Sequence, residues 1–115
     1  QGATNAVIET LADPRTVGCT WRQVIELRED DPAALLFDWL SELVYWKDAA
    51  GVVFHDGVLS LAREHHTWKL VGTLRGEPVN HATQTLHNDV KGITKHLYAV
   101  KQEGVRWRAR IVMDV

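Results

Sequence analysis

DDPAALLFDWLSELVYWKD, residues 30–48, is the stretch on which the fold of this chain turns. Asp31 is placed to cap a helix whose first residue is Pro32, where the missing N–H leaves no bond unmade. The carboxylates of Asp30 and Asp31 also suit the positive end of a helix dipole. From there Leu35, Leu36, Trp39, Leu40, Leu43 and Val44 recur at spacings of three and four, with Asp38, Ser41 and Glu42 on the opposite side. Such a stripe is built for burial. Side chains of this size each contribute roughly 1.5–3 kcal/mol when fully buried, so the helix is expected to anchor a sheet supplied by the rest of the chain.

Upstream, GATNAVIETLAD sets Ala3, Ala6, Val7 and Leu11 at helical spacing, and Asp13-Pro14 ends the pattern. Cys19 to Arg28 then reads as a strand, with Trp21, Ile25 and Leu27 facing one way and Arg22, Glu26 and Arg28 the other. Downstream, Ala50-Gly51 stops the anchor helix. Val52 to Phe54 and Val58 to Ala62 are strand-like, with a bulge expected at Gly57. Trp68, Leu70, Gly72 and Leu74 alternate with Lys69, Val71, Thr73 and Arg75 as the returning strand of a hairpin, whose tip carries His65 and His66 in water. Gly76 to Asn88 is polar, contains Pro78, and reads as an exposed loop. Asp89 to Gln102 forms a further strand, Glu103-Gly104 a turn, and Val105 to Asp114 a last strand. Its Val105, Trp107, Ala109, Ile111 and Met113 face inward, and Arg106, Arg108 and Arg110 outward. The expected class is α+β: two helices packed on one face of a mostly antiparallel sheet, in one domain spanning residues 1–115.

Composition sets further bounds. A chain of 115 residues with 45% hydrophobic content can bury a core as one domain. A formal charge of −2 gives no chain-wide reason to bind nucleic acid or an anionic membrane, so no direct nucleic-acid contact is expected. Cys19, the one cysteine, excludes an intramolecular disulfide and reads as a small packed residue rather than a nucleophile. There is no apolar run long enough to span a bilayer and no signal peptide, which points to a soluble, cytoplasmic setting. Five tryptophans fit a small core filled by large aromatics better than a base-stacking surface.

Three pieces resemble a known family. LLFDWLSELVYWKDAAGVVF (residues 35–54), DVKGITKH (residues 89–96) and the ending WRARIVMDV look like archease, a small partner of the RNA-splicing tRNA ligase. Lys91, Thr94 and His96 fall on the family's K-A-[VI]-T-[YL]-H pattern, and Asp114 stands one residue before the chain terminus. The resemblance implies an archease-like sandwich and a noncatalytic accessory role in the guanylylation and turnover of that ligase, with Lys91, Thr94 and His96 at the functional edge. It also implies a divalent-metal site for Ca²⁺ or Mg²⁺, in which Asp114 and the terminal Val115 would supply oxygens to a hard cation. The family's remaining ligand, an aspartate in an N-terminal H-T-A-D motif, has no counterpart here, because Gln1 aligns inside the family's first helix. Gly92 replaces the usual alanine, and Lys95, where tyrosine or leucine is usual, adds a like charge that weakens a metal.

A domain without that N-terminal strand exposes a sheet edge, and a homo-oligomer through this edge is expected. The rival reading is a truncated, repurposed oligomeric module that binds a small molecule or a protein and has no ligase role. An independent metal-dependent enzyme is the weakest reading. Plainer roles exist for the candidates: a surface lysine for Lys91, a sheet histidine for His96, a solvated chain end for Asp114. His81, His87 and His96 match no compact zinc spacing. The row Arg106, Arg108 and Arg110 could contact phosphates, but alternation alone places such a row on any exposed strand face.

Overall fold

The computed structural model describes the backbone of residues 2–87, 90–103 and 106–114, and among these the side chains of all but residues 2, 94–112 and 114. The elements run α1 (Gly2–Leu11), a 3-10 turn (Pro14–Thr16), β1 (Trp21–Glu29), α2 (Pro32–Ala50), β2 (Val52–Glu64), β3 (Thr67–Pro78), β4 (Gly92–Glu103) and β5 (Arg106–Asp114). This is the expected α+β order. The hydrogen bonding divides the strands into an antiparallel three-stranded sheet, β1-β3-β2, and the β4-β5 hairpin. Among the described residues, no helix is long and apolar enough to cross a membrane.

The anchor helix forms as its sequence dictates. The Asp31 carboxylate accepts from the Ala33 N–H at 3.1 Å, Pro32 opens the first turn, and Gly51 closes the helix in the left-handed region at φ 64°. Leu35, Trp39, Leu40, Leu43 and Val44 are buried, and Leu36 packs against the same core from a partly exposed position. In α1 the buried set is Thr4, Val7, Ile8 and Leu11. Ala6, expected inside, is exposed, because the helix turns Ile8 rather than Ala6 toward α2 and the sheet.

Trp39 is the centre of the packing. Its indole N–H donates to the buried Thr4 hydroxyl at 3.0 Å, joining the two helices. The ring lies over the inner face of the sheet on two glycines. A methyl group at Gly72 would lie 2.5 Å from Trp39 Cζ3, and one at Gly57 would lie 3.4 Å from Cζ2. Gly57 therefore serves as floor for the indole and is not the bulge.

The bulge falls at His55, between the pairs Phe54↔Gly76 and Asp56↔Arg75. Gly76 is required there, since a Cβ would meet the Val53 carbonyl oxygen at 2.0 Å. His55 Nδ1 lies 3.0 Å from the Pro14 carbonyl oxygen and 2.9 Å from that of Val17. Both are acceptors, so Nδ1 carries the proton and ties β2 to the 3-10 turn.

Three local expectations are corrected. The strand β3 runs through Pro78, so the loop begins at Val79. That loop is anchored rather than wholly exposed: Gln84 is buried, donating to Glu77 Oε1 at 2.8 Å and to the Pro78 carbonyl at 2.9 Å, while Leu86 bridges to Ala12. Cys19 is exposed instead of packed, because the chain does not enter β1 until Trp21. As expected, His65 and His66 form the exposed tip of the β2-β3 hairpin, with His65 at φ 60°. The turn proposed at Glu103-Gly104, like Val105 after it, falls at the edge of the described residues.

On the sheet's outer face Arg75 Nε donates to Asp56 Oδ1 at 2.8 Å, and Arg75 Nη2 to Asp56 Oδ2. This fork of hydrogen bonds holds the Asp56 carboxyl below its ordinary value of 3.8, against a smaller opposing effect of burial. A depressed carboxylate stabilises the fold above its unfolded pKa and loses that contribution as pH falls through the folded value. Unfolding midpoints measured from neutral pH to below 3.8 are thus expected to fall more steeply for the wild type than for Asp56→Asn. Equal slopes would remove the pair from the acid response.

Candidate functional site

The candidate residues of DVKGITKH lie where the chain enters β4. Asp89 is outside the described residues, Val90 is fully buried, and Lys91 is exposed. Val90 is held from the anchor helix: Lys47, in the last turn of α2, donates from Nζ to the Val90 carbonyl oxygen at 2.7 Å. Only 10% of the Lys47 side chain is exposed, and Nζ also lies 3.0 Å from Asp48 Oδ1. A lysine at a helix C-terminus is favoured by the dipole in any case. Here it fixes the backbone one residue before Lys91.

The register then joins the two ends of the final third of the chain. Gly92 pairs with Asp114, Ile93 with Met113, and Thr94 with Val112. Ile93 is buried and Met113 packs against the same core, which fixes this end of the hairpin to the body of the protein. Lys91 and Asp114, distant in sequence, thereby stand at one end of one ladder. Gly92, which departs from the alanine of the family pattern, has nothing within 4 Å of where a Cβ would be, so the backbone here tolerates either residue.

The ladder breaks beyond Thr94. The next pair is Ala99↔Arg110, so the register shifts across residues 95–98, the stretch that includes His96. His96 thus lies within β4 in the stretch between Thr94 and Ala99 where the register shifts. The side chains of Thr94, His96 and Asp114, and Val115 altogether, lie outside the described residues. The same holds for the side chains of Arg106, Arg108 and Arg110, whose backbones pair with Glu103, Lys101 and Ala99.

Among the described residues, no group of three or more His, Cys, Asp or Glu side chains could hold a metal ion. At this edge they contribute the ammonium groups of Lys91 and Lys47, which repel a cation, whereas Ca²⁺ takes six to eight oxygens. His81 and His87 are exposed and belong to no such group.

A shallow cleft of about 370 Å³ is lined by Glu9, Asp13, Pro14, Arg15 and His87. Of its two carboxylates, that of Asp13 is already engaged. Asp13 caps the 3-10 turn, accepting from the Arg15 N–H at 3.0 Å and from the Arg15 guanidinium at 3.1 and 2.9 Å, and these bonds lower its pKa. The cleft is a capped turn with local charge pairing.

Lys47 is the residue that the sequence did not single out. Its position in the last turn of α2 is legible, but its acceptor lies 43 residues away and no local pattern announces it.

The fold can now be compared with known proteins. The model of the archease protein family (MTH1598/TM1083) matches residues 1–115. The protein archease of Methanopyrus kandleri is 31% identical over 113 residues, which cover 98% of this chain and 81% of that protein. That of Pyrococcus furiosus is 31% identical over 112 residues, covering 96% and 78%. The solution structure of Methanobacterium thermoautotrophicum protein 1598 superposes with a TM-score of 0.81 at 24% identity, covering 97% of this chain and 79% of that one. With a fold shared with that structure and a family pattern that runs from the first residue to the last, this chain belongs to the archease protein family.

Proposed function

We propose that this chain is an accessory protein of an RNA-splicing tRNA ligase, promoting the ligase's guanylylation and multiple turnover without catalysing a reaction itself. The observation that carries this reading is the register that pairs Gly92, the residue after Lys91, with Asp114 at the end of the β4-β5 hairpin, in a chain of the archease family. Membership makes the ligase the partner of choice.

The chemistry of that end suits a phosphate-bearing partner. Lys91 is an exposed ammonium with three donors on a flexible stem, and its backbone is fixed by the Lys47 bond to Val90. Such a group donates to phosphate oxygens and neutralises charge without taking part in bond making. Thr94 and His96, on the same strand, extend this edge along the chain.

The test is multiple-turnover RNA ligation by the ligase alone and with the chain added. The expected result is more product per ligase molecule when the chain is present. An unchanged yield from a ligase shown to be active would overturn the proposal.

A further inference from the structure

Lys91, the exposed cation of the candidate site, stands between anchored neighbours. The side chains of Val90 and Ile93 belong to the core, and Gly92 pairs with Asp114 on the β4-β5 ladder. The peptide joining Val90 to Lys91 precedes β4 and has no place on that ladder. Val90 is nevertheless fully buried, so its carbonyl oxygen is out of water and needs a donor from the protein. Lys47 Nζ supplies one at 2.7 Å, and Asp48 Oδ1, 3.0 Å from the same Nζ, steadies the ammonium. A lysine that served only the dipole of α2 would stand in water beside the last helical carbonyls. The Lys47 side chain is covered instead, and it directs a donor to a residue 43 positions away.

We propose that Lys47 is a positioning residue for Lys91. The C=O of Val90 and the N–H of Lys91 share one rigid peptide plane, so a bond that holds the oxygen also holds the nitrogen from which Lys91 departs. That bond is charge-assisted and works where water does not compete with it. Without it the buried carbonyl loses its charged donor, and the peptide gains by turning toward water, which carries Lys91 with it. A loose peptide beneath a flexible lysine multiplies the orientations that docking must freeze out, whereas a fixed one presents the ammonium in one direction. The effect of Lys47 on the ligase rests on the accessory reading above. Its effect on Lys91 rests on the geometry alone.

The test uses the wild type, Lys47→Met, which keeps an apolar stem without the donor, and Lys47→Arg, which keeps a charged donor, each checked for folding by circular dichroism. Backbone order parameters from NMR relaxation need no ligase. That of Lys91 is expected at about 0.85 in the wild type and in Lys47→Arg, and is expected to fall toward about 0.6 in Lys47→Met, with Ile93 unchanged in all three. In ligation titrated with the chain, Lys47→Met is expected to lose about tenfold in the same quantity that Lys91→Ala moves, half-activating concentration or saturating rate. Lys47→Arg is expected to recover most of that loss. An unchanged Lys91 order parameter in Lys47→Met, a loss in the other quantity, or a loss that Lys47→Arg does not recover would overturn the proposal. So would a Lys47→Met chain that does not fold, which would make the residue structural. A ligase indifferent to the wild type would overturn the accessory reading, and the order parameters would still decide whether Lys47 positions Lys91.

Discussion

Trp39→Ala is expected to lower the free energy of unfolding by about 3–5 kcal/mol, the range for truncating a fully buried large aromatic. Trp39 is fully buried, its indole N–H is bonded to Thr4 of α1, and its ring covers Gly57 and Gly72 of the sheet. Removing it opens a cavity between the two helices and the sheet and leaves the buried Thr4 hydroxyl without its donor. The fit can be tested from the other side. Gly72→Ala places a methyl group 2.5 Å from Cζ3 and 2.6 Å from Cη2, and the flat indole cannot give way without lifting α2. About 1–3 kcal/mol of overpacking is expected from that single carbon. If the clash is the cause, Gly72→Ala costs much less in a Trp39→Leu background, which urea unfolding of the two single variants and the double variant would show. Additive losses would mean that the glycine acts through the backbone instead.

Lys91→Ala is expected to leave the fold intact and to reduce activation of the ligase by about tenfold to a hundredfold, the size of one lost charge-assisted hydrogen bond. The side chain is exposed, and among the described residues no hydrogen bond or ion pair holds it. Exposed substitutions of this kind usually change stability by no more than about 0.5 kcal/mol. Lys91→Arg keeps the charge but replaces a point donor with a planar fork, so partial activity is expected from it. Ligation at saturating chain concentration separates weaker docking from a defective complex. Recovery of full activity at high concentration locates Lys91 in partner binding; a persistent deficit locates it at the activating step.

Much of this fold is legible in the sequence because its signals are local. Asp31, Pro32 and Gly51 mark the ends of α2 whatever surrounds it, and the alternation from Trp68 to Leu74 specifies one face of β3. What escaped depends on partners far along the chain. Gly57 reads as a bulge until Trp39 is seen above it, and the true bulge at His55 is fixed by carbonyls of Pro14 and Val17. Gln84 sits in a polar stretch, but becomes buried once Glu77 and the Pro78 carbonyl satisfy its amide. At the candidate site the family pattern picks out Lys91, Thr94 and His96. It does not convey that Lys47 holds their strand, nor that His96 lies in a break of the ladder.

The most direct measurement is the rate at which the ligase becomes guanylylated, read as labelled guanylate retained on the protein, with no addition, with the wild-type chain and with Lys91→Ala. The expected result is a rate raised by the wild type and close to the unassisted rate with Lys91→Ala. Equal rates in all three arms from a competent ligase would contradict the accessory role. Equal acceleration by wild type and variant would contradict its placement at the end of the β4-β5 hairpin.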